Sequence, residues 1–414
     1  MKRLFAALIV NLLLLAAPGA AARANDRAPL VILISLDGFR PDYLDRGVTP
    51  NLSALAARGI SAAMRPSFPT KTFPNHWTLV TGQRPDRHGI VGNRMEDPAR
   101  PGEVFTMASD DPFWWNAASP IWIDAEAAGI RTATMFWPGS NVGWGGLRPA
   151  RPYAPIENGK RPQDWTQFNA EVTATQRIET VLDWMRRPAA IRPQLVTLYF
   201  DTVDSAGHEF GPDDPRTTEV IATLDADLGR LIDGLRKLRR KADLVIVADH
   251  GMAAISSERT VALDVIADST LFRLIESGPY ASMVPTPGNE EKLAAAMLKP
   301  HEHMECWRRE QIPERLAFGR NPRVPPLFCL AEPGWTIAPT APPLPFAGGA
   351  HGYDQAMPEM AALFIAAGPH IRSAGTLTPF DNVDVEPLLR RLLGMQLDPD
   401  VDGSDAPFSQ VLRK

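Results

Sequence analysis

Short, almost purely apolar runs alternate along this chain with stretches of helical period. Leu30 to Leu36 is too short for a helix, and its apolar positions are continuous, as expected of a parallel strand buried on both faces. Leu195 to Phe200, Leu244 to Ala248 and Ala361 to Ala366 have the same character, and Ile130 to Phe136 is a weaker case. Apolar positions three to four apart predict helices over Leu52 to Arg58, Val172 to Arg187, Thr217 to Arg239 and Val385 to Leu393. This alternation predicts an α/β fold with an open, mostly parallel central sheet and helices on both faces. Gly139 to Asp164 and about Ser277 to Gly349, rich in Gly and Pro, read as insertions bordering a site, so that 28–411 forms a single catalytic domain. No internal repeat and no long charge run stands out along the sequence.

The extreme N-terminus breaks this pattern. Lys2 and Arg3 precede an apolar run, Leu4 to Ala17, and small residues end in Ala22-Arg23-Ala24 before Asn25. That layout predicts a signal peptide over 1–24 and an exported chain, periplasmic or secreted. No later segment reaches the ~20 apolar residues of a membrane span. The formal net charge is −5, and losing Lys2, Arg3 and Arg23 with the leader makes it more acidic. Such a chain has no overall electrostatic footprint for duplex nucleic acid, and any phosphate it handles needs positive charge from metal ions. Cys306 and Cys329, the only two cysteines, read as a disulfide in an oxidising compartment, with two buried free thiols as the alternative. The bridge is expected to brace a Pro-rich loop region.

Chemistry-bearing residues cluster after the strands, where open α/β sheets place their ligand sites. Asp37 follows the first run and Asp201 and Asp204 the second, with His208 four residues beyond Asp204; a glycine between them lets the backbone curl so both face one cation. Asp249-His250 follows the third run, and His351 sits in Gly348-Gly349-Ala350-His351-Gly352, where glycines permit close backbone approach. Asp37, Asp204 and Asp249 with His208, His250 and His351 make three Asp and three His, a mixed set that suits zinc. Thr72 and Thr70 are both candidate nucleophiles, and Thr72 is placed as the N-cap of a short helix with Pro74 in its first turn. A helix start there favours negative charge on a phosphoryl oxygen. His76 and His88 are read as structural, and His301 and His303 as exposed.

Several of these stretches carry a resemblance. Ser35-Leu36-Asp37-Gly38-Phe39-Arg40, Lys71-Thr72-Phe73-Pro74-Asn75-His76, His88-Gly89-Ile90-Val91-Gly92-Asn93 and Phe136-Trp137-Pro138-Gly139-Ser140 stand in order. Asp204-Ser205-Ala206-Gly207-His208, Asp249-His250-Gly251-Met252 and Gly349-Ala350-His351-Gly352 follow, with Asp381-Asn382-Val383-Asp384 and Leu392-Leu393-Gly394 near the end. The set resembles the nucleotide pyrophosphatase/phosphodiesterase family of the alkaline phosphatase superfamily, over roughly 30–395. The resemblance implies two Zn2+ per chain, one bound by Asp37, Thr72, Asp249 and His250, the other by Asp204, His208 and His351. It favours Thr72 over Thr70, implies a covalent phosphothreonine, gives Asn93 a hydrogen bond to a phosphoryl oxygen, and leaves Asp201 without a metal. Phe73 would stack a nucleotide base, with Tyr153 the nearest candidate for the opposite face.

The substrate implied is a small nucleotide diester or pyrophosphate cleaved to a nucleoside 5′-monophosphate. A sulfatase is disfavoured because a threonine stands at the nucleophile position, and a phosphomonoesterase because few basic residues surround Asn93. Lipid or choline headgroups remain open, and a non-catalytic binding protein would be expected to lack a ligand.

Overall fold

The computed structural model describes residues 29–151 and 154–413; the expected leader over 1–24 and Tyr153 lie outside them. An eight-stranded sheet forms the centre. Its strands are β1 (Val31–Leu36), β2 (Ile60–Met64), β3 (Thr132–Met135), β4 (Asp164–Trp165), β5 (Leu195–Phe200), β6 (Asp243–Val247), β7 (Ala362–Ala367) and β8 (Gly375–Thr376). Their order is β8-β2-β7-β6-β1-β5-β3-β4. β1 pairs in parallel with β5 (Val31 opposite Leu195) and with β6 (Val31 opposite Asp243), and only β7 runs against its neighbours β6 and β2. All six residues of β1 are buried, so both faces of the sheet are covered, and its continuous apolar run has that cause. Truncating a core residue such as Ile34 to Ala should destabilise by about 2–5 kcal/mol.

Two groups of helices cover the sheet. α1 (Pro50–Arg58) and α4 (Ala174–Arg186) each pack on α6 (Pro215–Lys237), while α2 (Thr72–Thr81), α3 (Ile121–Ala127) and α7 (Val385–Leu393) pack on one another. α5 (Thr202–Phe210) leads from β5 into α6. Thr173 caps α4 through a reciprocal bond with Gln176.

The Pro-rich segment is not a loop excursion. Phe272–Glu276, Tyr280–Pro285, Leu327–Ala331 and Met304–Arg308 form an antiparallel sheet in that order, over a second apolar cluster that includes Met283, Leu293 and Tyr353. Cys306 and Cys329 are disulfide-bonded directly across the last strand pair. The bridge therefore ties two strands and not loops; these strands are five or six residues long, and prolines close on Tyr280–Pro285 and Leu327–Ala331, which masked their period in the sequence. The 139–164 segment is largely irregular, but its last residue, Asp164, rejoins the central sheet in β4.

Candidate active site

β1 delivers Asp37 at its carboxyl end, with Gly38 turning the chain at φ 69°. A side chain at Gly38 would press on Asp204, whose Cα lies 3.0 Å from the Cβ position, so the turn needs glycine for space as well as conformation. Asp249, two residues past β6, accepts the Gly38 N–H at 3.2 Å. Asp204 and His208 lie one turn apart on α5, so helical spacing and not a glycine curl puts both on one face. Gly348 and Gly349 do lie hard against α5: their Cβ positions would sit 2.4 Å from the His208 and Gly207 carbonyl oxygens.

The imidazoles converge with the carboxylates. His250 Nε2 lies 3.0 Å from Asp249 Oδ2 and 3.4 Å from Asp37 Oδ1, and its ring stacks on His351 at 3.5 Å. His208 and His351 place Nε2 3.5 and 3.7 Å from Asp204 Oδ1. Each Nδ1 faces a backbone carbonyl instead, Gly349 O for His208, Gly251 O for His250 and Thr70 O for His351. Those contacts fix the tautomer with Nδ1 protonated and leave the Nε2 lone pair aimed inward, the arrangement of a metal-binding histidine. Asp37 Oδ1, Asp204 Oδ1 and Asp249 Oδ2 are buried with no hydrogen-bond partner. Three buried carboxylate oxygens left unpaired are costly unless cations sit beside them.

The titration behaviour has the same origin. Burial, followed by repulsion from Asp249 and Asp204, pushes the Asp37 carboxyl well above the usual carboxylate range, and burial raises Asp204. Asp249 is held well below that range because His250 and His76 outweigh its burial, and His250 is raised in return. His351 is pushed down by burial and, after that, by His250, Lys71 and His208, beside which a further positive charge is disfavoured.

Two sets of ligand atoms lie close enough to hold a metal, Asp204 with His250 and His351, and Asp37 with His76 and Asp249. His250 therefore stands between the two groups. His76 is already committed: Nδ1 bonds Thr72 O at 2.8 Å and Nε2 bonds Ser35 Oγ at 2.8 Å. Among the candidates, the structure brings together Asp37, Thr72, Asp204, His208, Asp249, His250 and His351. Asp201 stays apart, its carboxylate accepting from Arg177 at 2.7 Å.

Thr72 is the first residue of α2, and Lys71, not Thr72, occupies the cap. The threonine hydroxyl is thereby free of capping and lies 3.3 Å from His250 Nε2. The adjacent orphan N–H of Phe73 is satisfied by Asn93 Oδ1 at 3.0 Å, which leaves the Asn93 amide donors for a ligand. Asn75 locks the approach to the helix, accepting from Ser67 N and donating to the Pro69 and Lys71 carbonyls. Thr70 is fully buried, donating to Tyr353 O and accepting from Gly352 N. His88 is buried between Thr78 Oγ1 and Ile90 N, and burial pushes it down to about 3. His301 and His303 do not form a pair: one meets Met297 O, the other bonds Glu332 and stacks on Trp335.

Beside Thr72 opens a cavity of about 440 Å3 whose walls include Phe73, Trp115, Phe136, Trp137, Phe168 and Tyr199. Phe73 is half-buried and braced by Phe105 and Trp115 at 6.0 and 5.9 Å. Sequence reasoning missed Tyr199, whose buried hydroxyl donates to Asp37 Oδ2 at 2.7 Å and fixes that carboxylate. It lies inside an apolar strand run, where only the Ser35–Tyr199 register between β1 and β5 reveals its aim.

The profile of the type I phosphodiesterase / nucleotide pyrophosphatase family matches residues 31–354. An uncharacterized pyrophosphatase/phosphodiesterase of Schizosaccharomyces pombe is 34% identical over 390 residues, covering 89% of this chain and 78% of its own length. The bis(5′-adenosyl)-triphosphatase of Xenopus laevis is 34% identical over 379 residues, covering 91% and 80%. Among solved structures, murine ectonucleotide pyrophosphatase/phosphodiesterase 5, an inactive threonine-to-alanine variant in complex with AMP, superposes with a TM-score of 0.86 at 32% identity. It covers 93% of this chain and 100% of that one.

Proposed function

The chain belongs to the type I phosphodiesterase / nucleotide pyrophosphatase family, and we propose that it hydrolyses nucleotide phosphodiester or pyrophosphate bonds to nucleoside 5′-monophosphates. The observation that carries this reading is the site itself. Three partnerless buried carboxylate oxygens face three inward Nε2 atoms, with the Thr72 hydroxyl on one side and an aromatic cavity next to it.

Two zinc ions fit this donor set, since mixed imidazole and carboxylate ligands are zinc's preferred company. Asp37, Thr72, Asp249 and His250 would hold one, and Asp204, His208 and His351 the other. When bound, the pair supplies positive charge that acidifies a hydroxyl and neutralises the phosphoryl group. The protein's residues do the rest. Thr72 Oγ1 attacks phosphorus, the bond to the leaving oxygen breaks, and a phosphothreonine forms. Water then attacks from the opposite side, breaks the Oγ1–P bond and regenerates the threonine. The Asn93 amide donates to a non-bridging oxygen as charge builds, and the N-terminus of α2 favours the same charge.

Phe73 offers a face for base stacking, and Tyr153, outside the described residues, remains the candidate for the other side. The related murine structure, an inactive threonine-to-alanine variant bound to AMP, supports a threonine nucleophile and a nucleotide substrate. We place the mature protein outside the cytoplasm on the strength of the leader; among the described residues no helix is long and apolar enough to cross a membrane. A second reading has one observation in its favour: the cluster of Phe136, Trp137, Phe168 and Tyr199 could receive a quaternary ammonium by cation–π contact. Rates measured side by side on a nucleotide 5′-phosphodiester, a phosphocholine ester and a phosphomonoester decide between them. The nucleotide ester is expected to lead, and a leading phosphocholine ester would overturn the nucleotide assignment.

A further inference from the structure

The pole of the molecule opposite the cleft has a charge character that the acidic composition conceals. β1, β3, β5 and β6 all start there and run towards the site, so the pole lies roughly 20 Å from Asp249 by strand rise alone. A broad concavity of about 800 Å3 at this end is lined by Arg58, Arg236, Arg239, Arg240, Lys241 and Arg413. Its remaining walls are apolar, and among the described residues no acidic side chain lines it. The core of the patch is the run Arg236-Lys237-Leu238-Arg239-Arg240-Lys241, in which only Leu238 is uncharged.

Some of these cations have local work. Arg236 pairs with Asp233, and Arg240 donates to Met185 O. Arg236 and Lys237 also suit the carboxyl end of α6, where the helix dipole favours cations. Arg239 and Lys241 lie beyond that helix. Arg58, Arg239, Lys241 and Arg413 are exposed, and none of the four pairs with a carboxylate among the described residues. Four like charges without a carboxylate partner among the described residues, on a chain of net charge −5, raise the energy of the free protein, a field that an anionic partner would relieve.

One further feature chooses the partner. Exposed Ile191, in the turn before β5, adds an apolar tip at the same end. Exposed cations beside an exposed apolar side chain suit a surface of acidic headgroups over acyl chains. We propose that this pole is a docking surface for an anionic phospholipid membrane, gripped by Arg58, Arg239, Lys241 and Arg413, with the cleft turned away from the bilayer.

The test is flotation of the full chain with vesicles of phosphatidylcholine alone or mixed with phosphatidylglycerol. The readout is the difference between the two compositions, which an apolar leader inserting into both does not create. Binding should favour the anionic vesicles and fall as salt shortens the Debye length. Arg239→Glu with Lys241→Glu should lower partition onto the anionic vesicles by roughly 30-fold or more, at an unchanged melting temperature. The same charge change elsewhere, Lys292→Glu with Arg320→Glu, should act far less. Equal binding to both compositions, or equal losses from the two pairs of substitutions, would overturn the proposal. So would a Glu pair that keeps vesicle binding but loses binding to duplex DNA, which would make the patch a nucleic-acid surface.

Discussion

Replacing Asn93 separates two roles that one carboxamide performs. Its oxygen accepts the Phe73 N–H at 3.0 Å, an orphan donor in the first turn of α2. Its nitrogen is the donor we assign to the phosphoryl group. Asn93→Ala removes both. Loss of the helix-end acceptor should destabilise by about 1 kcal/mol, which in a protein of this size moves the melting temperature by only about 1–2 °C. Loss of the donor should be far larger, about 2.7–4 kcal/mol of transition-state stabilisation, or about 100–1000-fold in rate. It should fall mainly on kcat, because the charge it meets grows during the reaction. Asn93→Asp splits the two. It keeps an acceptor for Phe73 and adds a favourable anion at a helix start, so stability should hold. It puts a negative charge beside the phosphate, so turnover should be as low as for alanine or lower. Melting curves and steady-state rates on one nucleotide diester suffice. An aspartate variant with wild-type turnover would refute the donor role, and an alanine variant within about tenfold of wild type would show that Asn93 is only a helix cap.

Thr72→Ala should abolish turnover while the fold persists, whereas Thr70→Ala, which removes bonds to Tyr353 O and Gly352 N, should lower the melting temperature and reduce activity much less; the reverse ranking would move the nucleophile. With wild-type protein, a chiral phosphorothioate diester hydrolysed in labelled water should show net retention, and inversion would exclude the phosphothreonine. Phe73→Ala should weaken a nucleotide diester by about 1–3 kcal/mol more than a small aryl diester, and equal losses would reduce Phe73 to packing. Chelation should remove activity and also lower the melting temperature, because Asp37, Asp204 and Asp249 lose the charge that offsets their buried oxygens; zinc should restore both better than magnesium, which prefers all-oxygen ligation. Full activity of a metal-stripped sample would sink that reading.

The central sheet was legible in the sequence because burial on both faces leaves strands with no polar alternation to misread. Leu195 to Phe200 was placed to the residue, and β1 within one. β2 was missed for the opposite reason: Ile60–Met64 contains Ser61, Ala62 and Ala63, too weakly apolar to stand out. The four-stranded sheet was missed because its five- or six-residue strands are separated by proline turns. The polybasic pole escaped for a third reason. Whole-chain net charge averages over faces, and six residues at the end of a helix look like ordinary helix termination until the fold sets Arg58 and Arg413 beside them.

At the site, the residue types were readable and the supporting geometry was not. Aspartates and histidines after strands announce a possible cation, but which nitrogen faces it is decided by carbonyls far away in sequence, such as Thr70 O beneath His351. That contact also changes the meaning of Thr70. On composition it rivals Thr72; in the fold its hydroxyl and its carbonyl are both spent holding the 351–353 turn, so it cannot attack anything. Tyr199 makes the converse case. Its strand position marks it as core, yet its hydroxyl occupies one oxygen of Asp37 and leaves the other unpartnered. A carboxylate so restrained has a single oxygen left to offer. The chemistry of Asp37 is therefore set by a residue 162 positions away, through a register that exists only once β1 and β5 have paired.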